Sequence, residues 1–284
     1  VSPDSQELNS IALGATRDFI FEVYPPNGND TGEFSAVVTQ ANIKYKMKLT
    51  EINYPHISKQ YLLEPNESKG VKINFETKVK KIAYIKGAGD KVAQSIRNIG
   101  ISVTEFSVDD LLLKDISKFS TLVVGIRAFN VNKGLTFKNQ ILWEYANQGG
   151  TVIVQYNTSR GLDSSIIAPY PINLSRDRVT DEDSEVRFLK PKHPILNTPN
   201  KISSKDFEGW VQERGLYFAN NWDNRFSALL SMNDIGESPK KGSLLVADYG
   251  KGKIIYTGLS FFRELPAGVP GAFRLFANLI SYGQ

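Results

Sequence analysis

The segment Thr151–Asn157 reads T-V-I-V-Q-Y-N, a short β-branched run followed at once by three residues with polar side-chain groups. Three runs of the same kind precede it: Ile82–Ile85, Val103–Phe106 and Thr121–Val124. Because these runs lack the alternation of a strand with one wet face, they indicate strands that are buried on both faces. Segments with helical spacing separate them, and this order predicts a mostly parallel sheet with right-handed crossovers.

Helical and hairpin signals complete this part of the chain. Val92, Ile96 and Ile99 lie on one side of a helical segment that ends at Gly100. The other predicted elements are a helix over Lys138–Asn147, a hairpin of Ser243–Asp248 and Lys253–Thr257, and an amphipathic helix over Ala272–Ser281. We therefore expect residues 78–284 to form a three-layer, flavodoxin-like α/β domain.

The first 77 residues have a different rhythm, with the two-residue period of strands. The predicted strands are Phe19–Val23, Phe34–Thr39, Ile43–Ile52, Gln60–Leu63 and Val71–Phe75. Turns are predicted at Asn27-Gly28, Asn53–Pro55 and Pro65–Gly70. No segment here has helical spacing, so residues 1–77 are predicted to form an antiparallel β-sandwich.

Composition excludes several classes of protein. The net charge is +4, and basic residues alternate with acidic and apolar ones, so we expect no nucleic-acid partner. No apolar run reaches the length of a membrane span. The absence of cysteine excludes disulfides and thiolate metal sites, and it fits an extracytoplasmic (periplasmic or secreted) bacterial protein. With only His56 and His193 available, we expect no metal site and no cofactor.

A candidate site follows from the predicted sheet. Ligands of open parallel sheets lie beyond the carboxyl ends of the strands. The side chains expected there are Arg127, Asn130, Gln155, Tyr156 and Asn157. They are candidates for ligand binding, with the alternative that they satisfy backbone groups of loops and cap helices.

Nearby features have simpler interpretations. Gly87-Ala88-Gly89 lacks the rest of a phosphate-binding fingerprint, so Asp90 is interpreted as a helix N-cap. In the long stretch Pro169–Phe218, Arg176, Asp177 and Arg178 are interpreted as an ion-paired clamp. Trp210, Glu213 and Arg214, further along the same stretch, are interpreted as a ligand surface.

Five stretches carry a resemblance to a known family. They are Gly125–Asn130 (G-I-R-A-F-N), Val154–Thr158 (V-Q-Y-N-T), Leu174–Asp183 (L-S-R-D-R-V-T-D-E-D), Phe207–Tyr217 (F-E-G-W-V-Q-E-R-G-L-Y) and Tyr256–Pro270 (Y-T-G-L-S-F-F-R-E-L-P-A-G-V-P). Together they resemble the C-terminal region of bacterial PIG-L/LmbE-related proteins. The resemblance implies a zinc-dependent sugar N-deacetylase domain elsewhere in the parent protein, and here a domain similar to class I glutamine amidotransferases.

The chain departs from that pattern at both catalytic centres. The deacetylase motif A-H-P-D-D is absent, because Lys192-His193-Pro194-Ile195-Leu196 shares only His-Pro with it. The amidotransferase nucleophile is absent too, since Gln155, Tyr156 and Asn157 occupy its expected position and an amide or phenol cannot replace a thiolate. No G-x-S-x-G elbow exposes a serine either.

These observations predict a non-catalytic accessory module that binds carbohydrate or docks against a deacetylase domain. Arg263, just after the last predicted strand, is expected to join the site, where arginines hold hydroxyls or carboxylates and Trp210 offers an apolar face to a sugar ring. One alternative is a hydrolase of amino sugars that uses Glu213 with Asp177 or Asp181. Another is an interaction scaffold whose cleft is filled by its own Pro169–Phe218 loop.

Overall fold

The computed structural model describes residues 1–25 and 30–284, and the chain divides into two compact units, Val1–Asn74 and Phe75–Gln284. The boundary predicted from the change of rhythm lies after Thr77. No helix in the described ranges is long and apolar enough to cross a bilayer.

The described residues of the first unit contain six strands in three antiparallel pairs, β1 with β6, β2 with β3, and β4 with β5. Their bounds are β1 Asp30–Ser35, β2 Val38–Gln40, β3 Ile43–Tyr45, β4 Met47–Ile52, β5 Gln60–Pro65 and β6 Glu67–Lys72. Every side chain described in this unit is exposed or half-buried. The antiparallel pairing agrees with the predicted all-β class, while the packed sandwich stays a prediction.

Several local predictions for this unit are wrong. Phe19–Val23 is not a strand, and only an isolated bridge joins Glu22 to Ser2. The predicted strand Ile43–Ile52 is interrupted at Lys46. Gly70 lies within β6 rather than in a turn, and a Cβ there would lie 2.0 Å from the Phe34 ring, so the glycine leaves room for that ring. The turn predicted at Asn27-Gly28 lies outside the described residues.

The second unit is a mixed α/β structure with thirteen described strands and six described helices. The strands are β7 Lys81–Ile85, β8 Ser102–Phe106, β9 Thr121–Val124, β10 Thr151–Gln155, β11 Ile172–Leu174, β12 Arg178–Val179, β13 Arg187–Phe188, β14 Gly215–Leu216, β15 Ala219–Trp222, β16 Ser227–Ala228, β17 Leu230–Ser231, β18 Leu244–Tyr249 and β19 Gly252–Thr257. The helices are α1 Val92–Asn98, α2 Leu113–Ile116, α3 Ala128–Val131, α4 Gly134–Asn147, α5 Phe261–Ala267 and α6 Pro270–Ser281, with 3-10 turns at Ser164–Ile166, Pro194–Leu196 and Ser204–Phe207.

Seven strands form the main sheet, in the order β16-β18-β19-β10-β9-β7-β8. The five from β19 to β8 are mutually parallel, and β18 and β16 add an antiparallel edge. The predicted mostly parallel sheet is therefore confirmed. Numbered by their place in the chain, the parallel strands lie across the sheet in the order 2-1-3-4-5, that is β8-β7-β9-β10-β19. The direction of winding therefore reverses between β7 and β9.

The core forms because the central strands are apolar on both faces. All residues of β9 and β10 are buried. On one face Leu122, Val124, Val152 and Val154 pack with side chains of α4. Helix α5 contacts both α1 and α6, and α6 also lies against β10.

The predicted elements of this unit agree with the structure at most positions. Helix α4 begins four residues before the predicted Lys138. The N-cap of α1 is Lys91, one residue after the predicted Asp90, and the Asp90 carboxylate accepts the Val92 N–H at 2.8 Å from just outside the helix. The stretch Pro169–Phe218 is neither disordered nor free-standing, since β11 and β13 pair with the later strands β15 and β17.

Candidate functional site

The carboxyl ends of β7, β9, β10 and β19 meet at one edge of the sheet, beside the winding reversal. The loops there are packed closely. Ala88 N–H donates to the Ile126 carbonyl at 2.9 Å, and a Cβ at Gly87 would lie 2.1 Å from that same oxygen. Glycine at this position therefore lets the loop after β7 approach the loop after β9.

Arg127 stands at the tip of the loop after β9. Its backbone has φ of +54°, in the left-handed region, and it precedes the short helix α3. Its N–H donates to the Tyr156 carbonyl at 2.8 Å, which fixes it against the end of β10. The side chain is exposed, and within the part of the chain that the structure describes its guanidinium makes no hydrogen bond or ion pair.

Three aromatic rings form a cluster at the ends of β10 and β19. Tyr156 and Tyr217 stack with ring centroids 6.1 Å apart and planes 8° apart, and the Phe262 ring lies 5.1 Å from Tyr156. Tyr156 is buried, while Tyr217 and Phe262 are half-buried. Burial raises the pKa of the Tyr156 phenol, an effect that Arg127 and Arg263 oppose, so this hydroxyl is neutral at pH 7.

A charged pair borders the aromatic cluster. Arg263 Nε donates to Glu213 Oε1 at 2.7 Å, and its guanidinium carbon lies 4.7 Å from the Phe262 ring centroid. Glu213 is 7% exposed, whereas Arg263 is half-buried. The Phe262 ring that Arg263 contacts also packs on Tyr156, so the ion pair borders the aromatic cluster. Of the residues predicted as ligand-binding, Arg127, Tyr156, Glu213 and Arg263 therefore come together.

The three predicted amides have structural roles. Gln155 is 1% exposed and donates to the Tyr84 hydroxyl at 3.2 Å. Asn157 is fully buried, accepting the Phe129 N–H and donating to the Gln155 carbonyl. Asn130 exchanges two hydrogen bonds with the backbone of Thr158, of 3.0 and 2.9 Å. Asn130 and Asn157 thus satisfy backbone groups of the loops, as the alternative interpretation stated, and Gln155 is held by the Tyr84 side chain.

Trp210 and Arg214 belong to the interior rather than to a ligand surface. Trp210 is 3% exposed, its indole N–H donates to the Asp206 carbonyl at 2.9 Å, and it packs on Phe207 and Phe261. Arg214 is 4% exposed and donates to the Ser184 and Phe207 carbonyls. Neither side chain has a free face for a ligand.

A pocket of about 490 Å³ opens beside Arg127. The loops after β9 and β10, the first turn of α4 and the 3-10 turn at Ser164–Ile166 enclose it. Its lining residues are Arg127, Phe129, Asn130, Lys133, Thr136, Thr158, Arg160, Gly161, Leu162, Asp163 and Ile166. Lys133 and Arg160 were not predicted as site residues, because only the folded chain brings them to Arg127.

A second pocket of about 380 Å³ lies at Arg176, Asp177 and Arg178, the residues interpreted as an ion-paired clamp. Glu237, Ser238 and Lys240 complete its lining, and Lys240 pairs with Glu237. In the described ranges the side chains of Arg176 and Arg178 form no ion pair. The clamp is therefore not what holds this segment, which β12 and β14 anchor instead.

The described residues contain no cluster of three side chains suited to a metal ion. His193 is engaged locally, since its Nδ1 accepts the Ile195 N–H at 3.2 Å, and burial lowers its pKa. One titratable group was missed from the sequence. Glu264 is fully buried, and burial raises its pKa to about 7.

Comparisons with known proteins give only distant similarities. No family model and no curated protein matches the chain. Among solved structures it is similar to a cytoplasmic protein from Salmonella typhimurium (11% identity, 89% of this chain and 95% of that chain, TM-score 0.47). It is also similar to a GMP synthase subunit from Thermoplasma acidophilum (12% identity, 72% and 96%, TM-score 0.46) and to a β-galactosidase from Rahnella (13% identity, 71% and 31%, TM-score 0.43). Similarity of this extent says nothing about activity or ligand.

Proposed function

We propose that the unit Phe75–Gln284 is a non-catalytic carbohydrate-binding module of a PIG-L/LmbE-related protein, with a three-layer, flavodoxin-like and amidotransferase-like architecture. The strand order 2-1-3-4-5 supports the architecture, since flavodoxin-like folds share that order. The observation that carries the function is the half-exposed pair of rings, Tyr217 and Phe262, framed by the Glu213–Arg263 ion pair and the exposed Arg127.

This arrangement suits a sugar for physical reasons. The apolar face of a pyranose ring packs on an aromatic ring, and Tyr217 and Phe262 offer partly open rings. Charged groups make the strongest hydrogen bonds to hydroxyls, and here the Glu213 carboxylate accepts while the guanidinium groups of Arg127 and Arg263 donate. Tyr217 and Phe262 therefore offer the aromatic ring faces to the sugar, in place of Trp210, which was expected to do so from the sequence.

The same residues argue for binding without turnover. At the position expected for the amidotransferase nucleophile, Gln155 is a buried amide held by Tyr84. The neighbouring Tyr156 phenol is neutral at pH 7, because burial raises its pKa. The hydrolase alternative requires a second carboxyl group beside Glu213, and the Glu213 carboxylate meets a guanidinium instead. The same proposal has three further parts. Docking to a deacetylase domain rests on the family resemblance, an extracytoplasmic location rests on the absence of cysteine, and the N-terminal β-sandwich rests on the strand pattern of residues 1–77.

Titration of the protein with N-acetylglucosamine, glucosamine and glucuronate by isothermal calorimetry tests this function. We expect saturable binding of at least one sugar, with no release of product in parallel assays. Phe262→Ala and Tyr217→Asn are expected to weaken that binding about fivefold, since each removes a ring worth about 1 kcal/mol. Asparagine is chosen at Tyr217 because it tolerates the φ of +52° there.

Two matched variants control for general effects of removing a ring. Phe137 is 84% exposed on α4, and Tyr249 is half-buried at the β18–β19 turn, at the opposite edge of the sheet. Phe137→Ala and Tyr249→Asn should bind as the unchanged protein does. Absence of binding for every sugar, or equal affinity in all four variants, contradicts the proposal.

A further inference from the structure

The pocket beside Arg127 carries an excess of positive charge. Its lining includes three cationic side chains, Arg127, Lys133 and Arg160, against one carboxylate, Asp163. That carboxylate is already engaged, because Asp163 Oδ1 accepts the Ser165 N–H at 3.0 Å, and the Ser165 donors lower its pKa. The pocket therefore presents uncompensated positive charge to solvent.

The arginines of this unit differ in whether they have a partner, and those without one lie at the pockets. Six of them are held by carboxylates or carbonyl oxygens: Arg97, Arg187, Arg214, Arg225, Arg263 and Arg274. The four without such a partner among the described residues are Arg127, Arg160, Arg176 and Arg178. Arg127 and Arg160 line the pocket beside Arg127, and Arg176 and Arg178 line the second pocket. The second pocket also holds Asp177 and Glu237, so it has less positive excess than the pocket beside Arg127.

The backbone around the pocket adds to its preference for anions. Helix α4 has fourteen residues, and its N-terminal turn, at Lys133 and Thr136, forms one wall. The dipole of an α-helix favours negative charge at its N-terminus, where the N–H groups of Leu135 and Thr136 donate to the Asn132 and Lys133 carbonyls. On the other wall, the two hydrogen bonds between Asn130 and the Thr158 backbone fix the loop that carries Arg160. These two bonds fix the backbone of that wall, while the side chains of Arg127, Lys133 and Arg160 are exposed to solvent.

We propose that this pocket is an anion-binding subsite that takes the acidic group of a saccharide, a carboxylate or a sulfate or phosphate ester. Arg127 links it to the aromatic cluster, since its N–H donates to the Tyr156 carbonyl at 2.8 Å while its side chain lines the pocket. A single acidic sugar would then place its ring on Tyr217 and Phe262 and its charged group between Arg127, Lys133 and Arg160. The saccharide part of this inference rests on the proposed function, and the anion part rests on the pocket alone.

The test compares glucose, glucuronate, glucose 6-sulfate, glucose 6-phosphate and sodium sulfate by calorimetry at low salt, with amide shifts of Thr158 and Gly161 to locate the binding. We expect the acidic sugars to bind at least about tenfold more tightly than glucose. Comparison of the carboxylate with the two esters identifies the preferred acidic group. Lys133→Gln and Arg160→Gln should each remove most of that preference, and Arg178→Gln, a change at an exposed arginine of the second pocket, should retain it.

Each outcome separates the two proposals. Equal binding of glucose and glucuronate overturns the anion subsite but leaves the carbohydrate module standing. Binding of sulfate that is lost in Lys133→Gln, with no sugar bound, supports the subsite and contradicts the carbohydrate function. Equal loss in Arg178→Gln overturns the subsite, because it indicates a general charge effect. If no compound binds, both proposals fail.

Discussion

Replacement of Trp210 by alanine is expected to lower the free energy of unfolding of the α/β unit by about 3–5 kcal/mol, the range found for large aromatic residues removed from a core. Trp210 is 3% exposed, and its ring centroid lies 5.3 Å from that of Phe207 and 6.1 Å from that of Phe261. The alanine side chain would leave a cavity between these rings and remove the donor to the Asp206 carbonyl. The measurement is urea denaturation followed by near-ultraviolet circular dichroism.

The buried guanidinium of Arg214 makes this cavity more damaging. Its central carbon lies 5.9 Å from the ring centroids of both Phe207 and Trp210, and burial lowers its pKa while leaving it charged. Loss of the indole would deprive a desolvated cation of one of its two aromatic neighbours. We therefore expect the Trp210 substitution to cost more than removal of a ring from a purely apolar cluster.

Trp210→Phe serves as the matched variant, because it keeps an aromatic ring in the cluster and removes the indole N–H with part of the ring volume. Its expected cost is about 1–2 kcal/mol, from the lost hydrogen bond and the smaller ring. The pair of variants distinguishes the interior role from the ligand surface expected from the sequence. If Trp210→Ala lost sugar binding and kept the full stability, the interior assignment would be wrong.

The sequence predicted the α/β unit well because its central strands β9 and β10 are buried on both faces. The run Thr121–Val124 has no exposed position, and its limits coincide with those of β9. The run Val103–Phe106 was expected to be buried on both faces, but it lies in the edge strand β8, where no residue is fully buried. In the first unit no described side chain is buried, so no core favours one alternating set of residues over the other. The break at Lys46 and the position of Gly70 within a strand are not visible in the pattern for that reason.

The sequence predicted which residues lie at the candidate site where the strand order fixes their position. It did not predict the direction in which their side chains point. The rule that ligands lie at strand ends brought Arg127, Tyr156 and Arg263 together. It could not show that Asn157 turns inward to satisfy the Phe129 N–H, a demand that arises only once the loop is buried. An interior clamp and a ligand surface can both be built from arginine, tryptophan and carboxylate residues. Composition therefore could not show that Trp210 and Arg214 belong to the interior. The Phe262 ring could have been found, since it stands next to Arg263 in Ser260-Phe261-Phe262-Arg263.

Glu264 should make the α/β unit less stable at pH 8 than at pH 5. The side chain is fully buried and accepts hydrogen bonds from Val211 N–H at 2.9 Å and from the Ser260 hydroxyl at 3.1 Å. Burial raises its pKa from 4.5 to about 7, against the opposing effect of those donors and of Arg214 and Arg263. Between these two pKa values the folded state holds the proton and the unfolded state has released it. The stability that Glu264 contributes is therefore complete below pH 4.5 and lost as the pH rises to about 7.

Glu264→Gln removes this titration and keeps an acceptor for Val211 N–H. The variant and the unchanged protein should have similar stability at pH 5, and at pH 8 the variant should be more stable by about 3 kcal/mol, the free energy that corresponds to the shift. Urea denaturation of both proteins from pH 5 to pH 8 measures the difference, in which the titration of all other groups cancels. Glu144→Gln, a change at an exposed position of α4, should give a curve parallel to that of the unchanged protein. A parallel curve for Glu264→Gln as well would mean that Glu264 is ionised in the folded state at pH 5. The buried carboxylate would then need a closer cationic partner than Arg214 and Arg263 provide.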